Sequence, residues 1–381
     1  MLRLSRKFLV ILALVLVFSV AIVGCRRSSG PSDTGNIKIG VLVPISGSEA
    51  YFGNDMYNSF ALAVDHVNAR GGVLDGRMLE LLAPADDGCD ALMAAQAATM
   101  ITSQNPHFVV GGYCSGATIP ALQEFYDKDL VMLVSAANST RITDLRLNQT
   151  FMINSPGTHQ VDSLILLLNS LGVKRVATIH QGDDYTQNLS DICHAKLPGA
   201  GFEMVFTGVM EKGAPDISAI VTAIRNSRAE FVYWCGYFAD GGNVIRQLRQ
   251  GGYTGYICAG DGSSSVELIT ACGPAGEGVF VTSPPNVEFS AGGGDFLAAY
   301  RAKYNLEPGA YATLCYDTIM LLADAIEQAG TTETAAVRDK IQNANYQGLS
   351  GLISFTPNRE LANSNFIIIQ IRNGVYTLYN P

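Results

Sequence analysis

HFVVGGYCSGATIP, residues 107–120, sets the fold. The run from His107 to Val110 is apolar and reads as a strand buried on both faces, and it ends on two glycines followed by Tyr113, Cys114 and Ser115. The next segment, TIPALQEFYD, has helical spacing. Pro120 fits its first turn, where the missing N–H breaks no helical bond. A buried strand feeding directly into a helix is half of a β-α-β unit. Ser115 stands at the junction as a nucleophile, an anion clamp or a helix cap, with Thr118 an equally good cap.

The same alternation extends in both directions. Upstream, IKIGVLVP precedes a helix near residues 55–68, in which Phe60, Ala63, Val64 and Val67 share a face and Arg70-Gly71-Gly72 ends it. MLELLAP and LVMLVSAA are further strands, and DALMAAQAATMITS is a helix. The pattern then restarts: RVATIHQ, EMVFTGVM, EFVYWCG and YICAGDG alternate with helical stretches around residues 157–171, 186–197, 215–227 and 240–250. Past GVFVTSPP the chain turns helical, with FLAAYRAKY and YATLCYDTIMLLADAIEQAG, then closes with SGLISFTP and a hairpin turning at Asn373-Gly374. Two successive doubly wound units predict an α/β protein of two Rossmann-like lobes, with a ligand cleft outside the carboxyl ends of the strands.

Those strand ends carry the candidate site. A helix starting near Ser115 would aim backbone N–H groups and its positive dipole end into the cleft, an anion site that needs no cationic side chain. Ala136, Ala137 and Asn138 follow LVMLVS as small residues whose backbone a ligand can approach. Asp261 ends YICAGDG and reads either as a turn acid or as an acid facing a cation. Phe52, Tyr113, Tyr185 and Tyr237 fall at corresponding strand ends and suggest an aromatic wall. Catalysis has weak support. Gly112-Tyr113-Cys114-Ser115-Gly116 places its serine one position late for a nucleophile elbow, and no base can be paired with it by spacing among His66, His107, His159, His180 and His194.

The termini and composition set the compartment. Arg3, Arg6 and Lys7 precede an apolar run from Phe8 to Gly24, which ends in Ile22-Val23-Gly24-Cys25. That pattern is similar to a bacterial lipoprotein signal, residues 1–24, with Cys25 as the lipidated residue and residues 25–36 as a polar tether. Loss of three positive charges with the signal takes the formal net charge from −9 to −12, which disfavours nucleic acid as a partner. Of the eight cysteines, Cys25 goes to the anchor. Seven remain, so at least one is free, and Cys258 with Cys272 is a candidate bridge. No Cys or His spacing supports a metal.

Several segments together resemble one family. They are PISG with Phe52-Gly53, VNARGGVLDGR, DDGCD, GGYCSGAT, SAANS, FVYWCGY and GAYATLCYD, and they span nearly all of the chain after Ile37. The resemblance is to the periplasmic leucine/isoleucine/valine-binding proteins of branched-chain amino-acid ABC transporters. It implies the type I periplasmic-binding fold, with three crossovers between lobes, a monomer without cofactor, and a permease partner. The lobes expected are residues 37–154 plus 285–349 and residues 155–284 plus 350–381. It further implies that Ser115 and the Asn138 amide hold a ligand carboxylate and that the Ala136 carbonyl, Asp261 and Tyr237 hold its ammonium. Phe52, Tyr113, Tyr185 and Tyr311 wall the pocket, and Cys89 pairs with Cys114. Asp261 stands where the family commonly has Glu, and Asn138 where it has Thr. Both changes keep an α-amino acid as the expected ligand but set leucine, isoleucine or valine in question; the tyrosine-rich wall also suits an aromatic side chain, and proteins of the resembled family also take amides or urea. An exported hydrolase is the remaining alternative.

Overall fold

The computed structural model describes residues 35–381, and Asn36–Pro381 form one compact unit. The expected export signal, Cys25 and most of the expected tether lie outside the described residues. Five strands form a wholly parallel sheet in the order β2 (Leu79–Leu81), β1 (Ile37–Val43), β4 (Phe108–Gly111), β5 (Val131–Val134) and β6 (Thr150–Met152), with β3 (Ala85–Asp86) pairing the end of β1. Every residue of β4 and β5 is buried, because helices cover both faces of such a sheet.

The second sheet repeats this order. β8 (Glu203–Val209), β7 (Arg175–His180), β9 (Phe231–Cys235), β10 (Tyr256–Ala259) and β11 (Phe280–Ser283) run parallel. The hairpin β14 (Ile367–Arg372) and β15 (Val375–Tyr379) then joins antiparallel against β11. Asn373 and Gly374 both take positive φ at its turn, as a two-residue hairpin requires. The chain thus leaves the first sheet after β6 and leaves the second after β11. It then packs the helix Ala312–Ala329 against the helix Ala50–Ala69 of the first half, and re-enters the second sheet at β14. Among the described residues no helix is long and apolar enough to cross a membrane.

Two expectations are corrected. The helix after β4 spans Ser115–Asp127, so it starts three residues before Thr118 and Pro120 lies inside it, past the first turn. The start is set by the Cys114 carbonyl, which accepts the N–H groups of both Ala117 and Thr118. Ser115 is therefore the first helical residue and not a cap, and the proline forgoes a bond to the Gly116 carbonyl. Cys258 and Cys272 do not pair. With Cys193, Cys235 and Cys315 they are buried free thiols, held in the core as small apolar groups.

Candidate ligand-binding site

The carboxyl ends of the two sheets face each other, and the side chains between them enclose a cavity of about 10 Å3. Tyr113, Ala136, Ala137, Asn138 and Tyr311 line it from the first half of the fold. Tyr185, Tyr237, Asp261 and Gly262 line it from the second. Ser115 and Phe52 stand behind that wall. The Ser115 hydroxyl accepts the Ser139 N–H at 3.3 Å, and the Phe52 ring stacks on Tyr113 at 4.9 Å. The sequence-predicted residues therefore converge on one place, eight at the surface of the cavity and two supporting it.

The backbone explains how these residues reach it. Gly111 and Gly112 carry φ of +120° and +76°, and a Cβ on Gly111 would meet the Leu42 carbonyl oxygen at 2.1 Å. Only glycine lets β4 end there and turn Tyr113 inward. The next residue, Cys114, is bonded to Cys89, which closes a loop with a sequence separation of 25 and ties the start of the Ser115 helix to the loop after β3. By chain entropy such a link contributes about 3 kcal/mol.

Asp261 begins a short turn after β10 and is 1% exposed. Its Oδ1 accepts the Tyr185 hydroxyl at 2.7 Å. Its Oδ2 accepts the Asn138 and Asn154 amides, each at 3.1 Å, and the Tyr311 hydroxyl at 3.2 Å. Burial pushes its carboxyl upward, and the donors from Tyr185, Asn154 and Tyr311 oppose that rise. Every one of these partners is neutral. A buried carboxylate with donors but no counter-ion is an unfinished pair that a cation would complete.

The first half offers the opposite polarity. Ala117 and Thr118 turn their N–H groups to Cys114, whereas those of Ser115 and Gly116 precede the first intrahelical acceptor. The Ser115 hydroxyl uses a lone pair on Ser139 and keeps its proton to donate. Tyr185 and Tyr311, both with hydroxyls pushed well above their usual range by burial, remain protonated donors to Asp261.

Sequence reasoning missed four contributors. Asn154, just past β6, donates its amide to the Ala136 carbonyl at 2.7 Å as well as to Asp261, and its own Oδ1 is buried without a partner. Gln160 accepts from Asn138 and donates to Thr282, which joins the halves behind the cavity. Phe238 meets Phe52 edge-on at 5.5 Å. Glu49 accepts the Tyr113 hydroxyl at 3.2 Å. Glu49 had a readable signal, since it follows β1 at the same sheet edge as the other site residues. Asn154 and Gln160 had none.

Comparison with known proteins matches this architecture to a family. The family model for periplasmic binding protein covers residues 36–375, and the chain belongs to that family. Its members are exported solute-binding proteins, not enzymes. An amino acid binding protein of Pseudomonas aeruginosa is 29% identical over 88% of this chain and 90% of its own length. A leucine-, isoleucine-, valine-, threonine-, and alanine-binding protein of the same organism is 25% identical over 97% and 95%. Among solved structures, a leucine-binding protein of Thermotoga maritima superposes with a TM-score of 0.83 at 26% identity, covering 90% of this chain and 98% of that one. A branched-chain amino acid transporter substrate-binding protein of Streptococcus pneumoniae, in complex with isoleucine, gives 0.79 at 26% identity, covering 90% and 97%.

Proposed function

We propose that the chain captures a small α-amino acid between its two lobes and presents the closed form to an ABC permease, as a monomer held to the membrane through a lipid on Cys25. The lobes are residues 37–154 plus 285–349 and residues 155–284 plus 350–381. The observation that carries this reading is Asp261, buried among four neutral donors with no cation. A ligand ammonium supplies the missing charge, with the Ala136 carbonyl as its second acceptor. The ligand carboxylate goes to the Ser115 hydroxyl and the N–H groups at the start of its helix. A neutral amide or urea would leave Asp261 uncompensated, which weighs against those ligands.

Capture works by population shift. An amino acid touches the acid of one half and the amides of the other only when the halves are closed, so the difference in contacts between open and closed forms supplies the closing free energy. Isothermal titration with the twenty amino acids, small amides and urea, followed by mass analysis of the recovered ligand, tests the reading. Saturable binding of an unaltered amino acid supports it. Turnover of the ligand, or binding confined to uncharged compounds, overturns it.

A further inference from the structure

Glu49 sits in the loop after β1, immediately before the helix Ala50–Ala69, and is 1% exposed. Its Oε2 accepts the Tyr113 hydroxyl at 3.2 Å and its Oε1 the Ser48 hydroxyl at 3.2 Å. The charged groups facing it from the other half are Lys212 and Asp240.

Tyr113 is thereby fixed on every side. Its backbone is set by the positive φ of Gly111 and Gly112 and by the disulfide at Cys114. Its ring stacks on Phe52 at 4.9 Å and meets Tyr311 edge-on at 5.5 Å. Swinging it away breaks a hydrogen bond to a buried carboxyl group. On the other wall the Tyr237 ring touches Tyr113 at 6.0 Å and Tyr185 at 5.2 Å, and its backbone carbonyl accepts the Trp234 indole N–H at 3.2 Å and the Gly241 N–H at 3.0 Å. Among the described residues its hydroxyl has no hydrogen-bond partner.

The cavity of about 10 Å3 has room for roughly one water, whereas a dry cavity of about 150 Å3 holds benzene. Any ligand larger than water must displace a wall. Of the two tyrosines, Tyr113 alone must break a side-chain hydrogen bond to move, so the space is gained on the Tyr237 side.

We infer that Glu49, acting through Tyr113, is a specificity-determining positioning residue that restricts the ligand to an α-amino acid with a side chain the size of alanine or serine. The inference rests on the amino-acid reading above and narrows it. Tyr113 meets the ligand, and Glu49 keeps Tyr113 across the end of the pocket where a branched side chain would go.

The test is isothermal titration of the purified protein with L-alanine, L-serine, L-leucine and L-phenylalanine, for the wild type and four variants, with circular dichroism to establish that each is folded. The wild type binds alanine or serine at least about tenfold more tightly than leucine, within the range that pocket size confers. Glu49→Ala removes the acceptor and Tyr113→Phe removes the donor, and each narrows that preference by about fivefold. Tyr113→Leu reverses it. Glu49→Gln, whose amide oxygen still accepts the tyrosine hydroxyl, recovers most of the wild-type preference, which a merely structural role for Glu49 would not predict.

A wild type that binds leucine as tightly as alanine overturns the inference and leaves the amino-acid reading standing. So does an unchanged ratio in folded Glu49→Ala and Tyr113→Phe. Folded proteins that bind none of the four but bind another of the twenty amino acids overturn the inference alone, and binding to none of the twenty overturns the amino-acid reading and the inference with it.

Discussion

The side-chain amide of Asn154 lies 3.1 Å from the Asp261 carboxylate, across the boundary between the two sheets. The same nitrogen donates to the Ala136 carbonyl at 2.7 Å, so one NH2 group spans both acceptors expected for a ligand ammonium. Capacity remains: Asp261 Oδ1 takes Tyr185 through one of its lone pairs, the Ala136 carbonyl has a second lone pair, and Asn154 Oδ1 has no partner among the described residues. The amide therefore sets the spacing of the acceptors without exhausting them.

Removing the acid tests that arrangement directly. Asp261→Ala takes away the counter-ion and leaves the ammonium desolvated, at a cost in binding of about 2–5 kcal/mol. Titration calorimetry with the amino acid that binds best reads the loss. Affinity unchanged within a factor of about two would mean that the acid serves only the protein's own donors.

Ser115 contributes less. It lies just behind the cavity wall, and the N–H groups at the start of its helix remain when the hydroxyl goes, so Ser115→Ala weakens binding by about 1 kcal/mol. The same titration measures it. A loss as large as that of Asp261→Ala would make the hydroxyl, not the amides, the main carboxylate ligand.

Much of this was legible because β-α alternation is a local pattern. Buried strands such as Phe108–Gly111 announce themselves by composition, and the doubly wound order then puts Tyr113 and Ala136 at the carboxyl end of one sheet and Tyr237 and Asp261 at that of the other without knowledge of any contact. Ser115 as a cap and Pro120 in the first turn were misread because the exact helix start depends on which carbonyl accepts the first N–H groups, a bond that residue type does not specify. Short strands such as Thr150–Met152 are formed by their neighbours, and that is where Asn154 emerges. Its role exists only because a second half of the chain brings Asp261 to meet it.

Asp317 gives a test of the fold separate from the ligand. Its carboxylate accepts the Leu349 N–H at 2.9 Å, the Ser350 N–H at 2.7 Å and the Ser350 hydroxyl at 2.6 Å, which ties the helix Ala312–Ala329 to the turn between β12 (Tyr346–Gly348) and β13 (Gly351–Ile353). Asp317→Ala orphans these donors at a cost of about 2–4 kcal/mol. Urea unfolding reads that loss, and amino-acid affinity in the folded variant falls far less.

Stability should decline from mildly acidic to mildly basic pH, and Asp87 should be a main cause. It is 0% exposed, Oδ1 accepts the Cys89 N–H at 2.9 Å, and Oδ2 has no partner. Burial pushes its carboxyl to about 7, with the Cys89 N–H opposing and Asp86 adding to the rise. Burial likewise lifts Glu49 to about 7 and Asp55 and Asp317 to about 6. A carboxyl raised in the folded state binds its proton more tightly there than in the unfolded chain. Its contribution is complete below the unfolded value of 3.8 for Asp87 and is lost as pH rises through about 7. Asp86 has the opposite sign, since its carboxyl is held below its usual range and its contribution is lost only at lower pH. Between pH 5 and 8 the raised group governs, and Asp87 alone accounts for a change on the order of 3 kcal/mol, since about two pH units of that interval lie below its folded-state value. Urea unfolding across that interval should show a falling curve for the wild type and a clearly shallower one for Asp87→Asn, which keeps the acceptor for Cys89 and cannot ionise. Parallel curves, or a wild type that gains stability toward pH 8, would show that Asp87 is ionised in the fold.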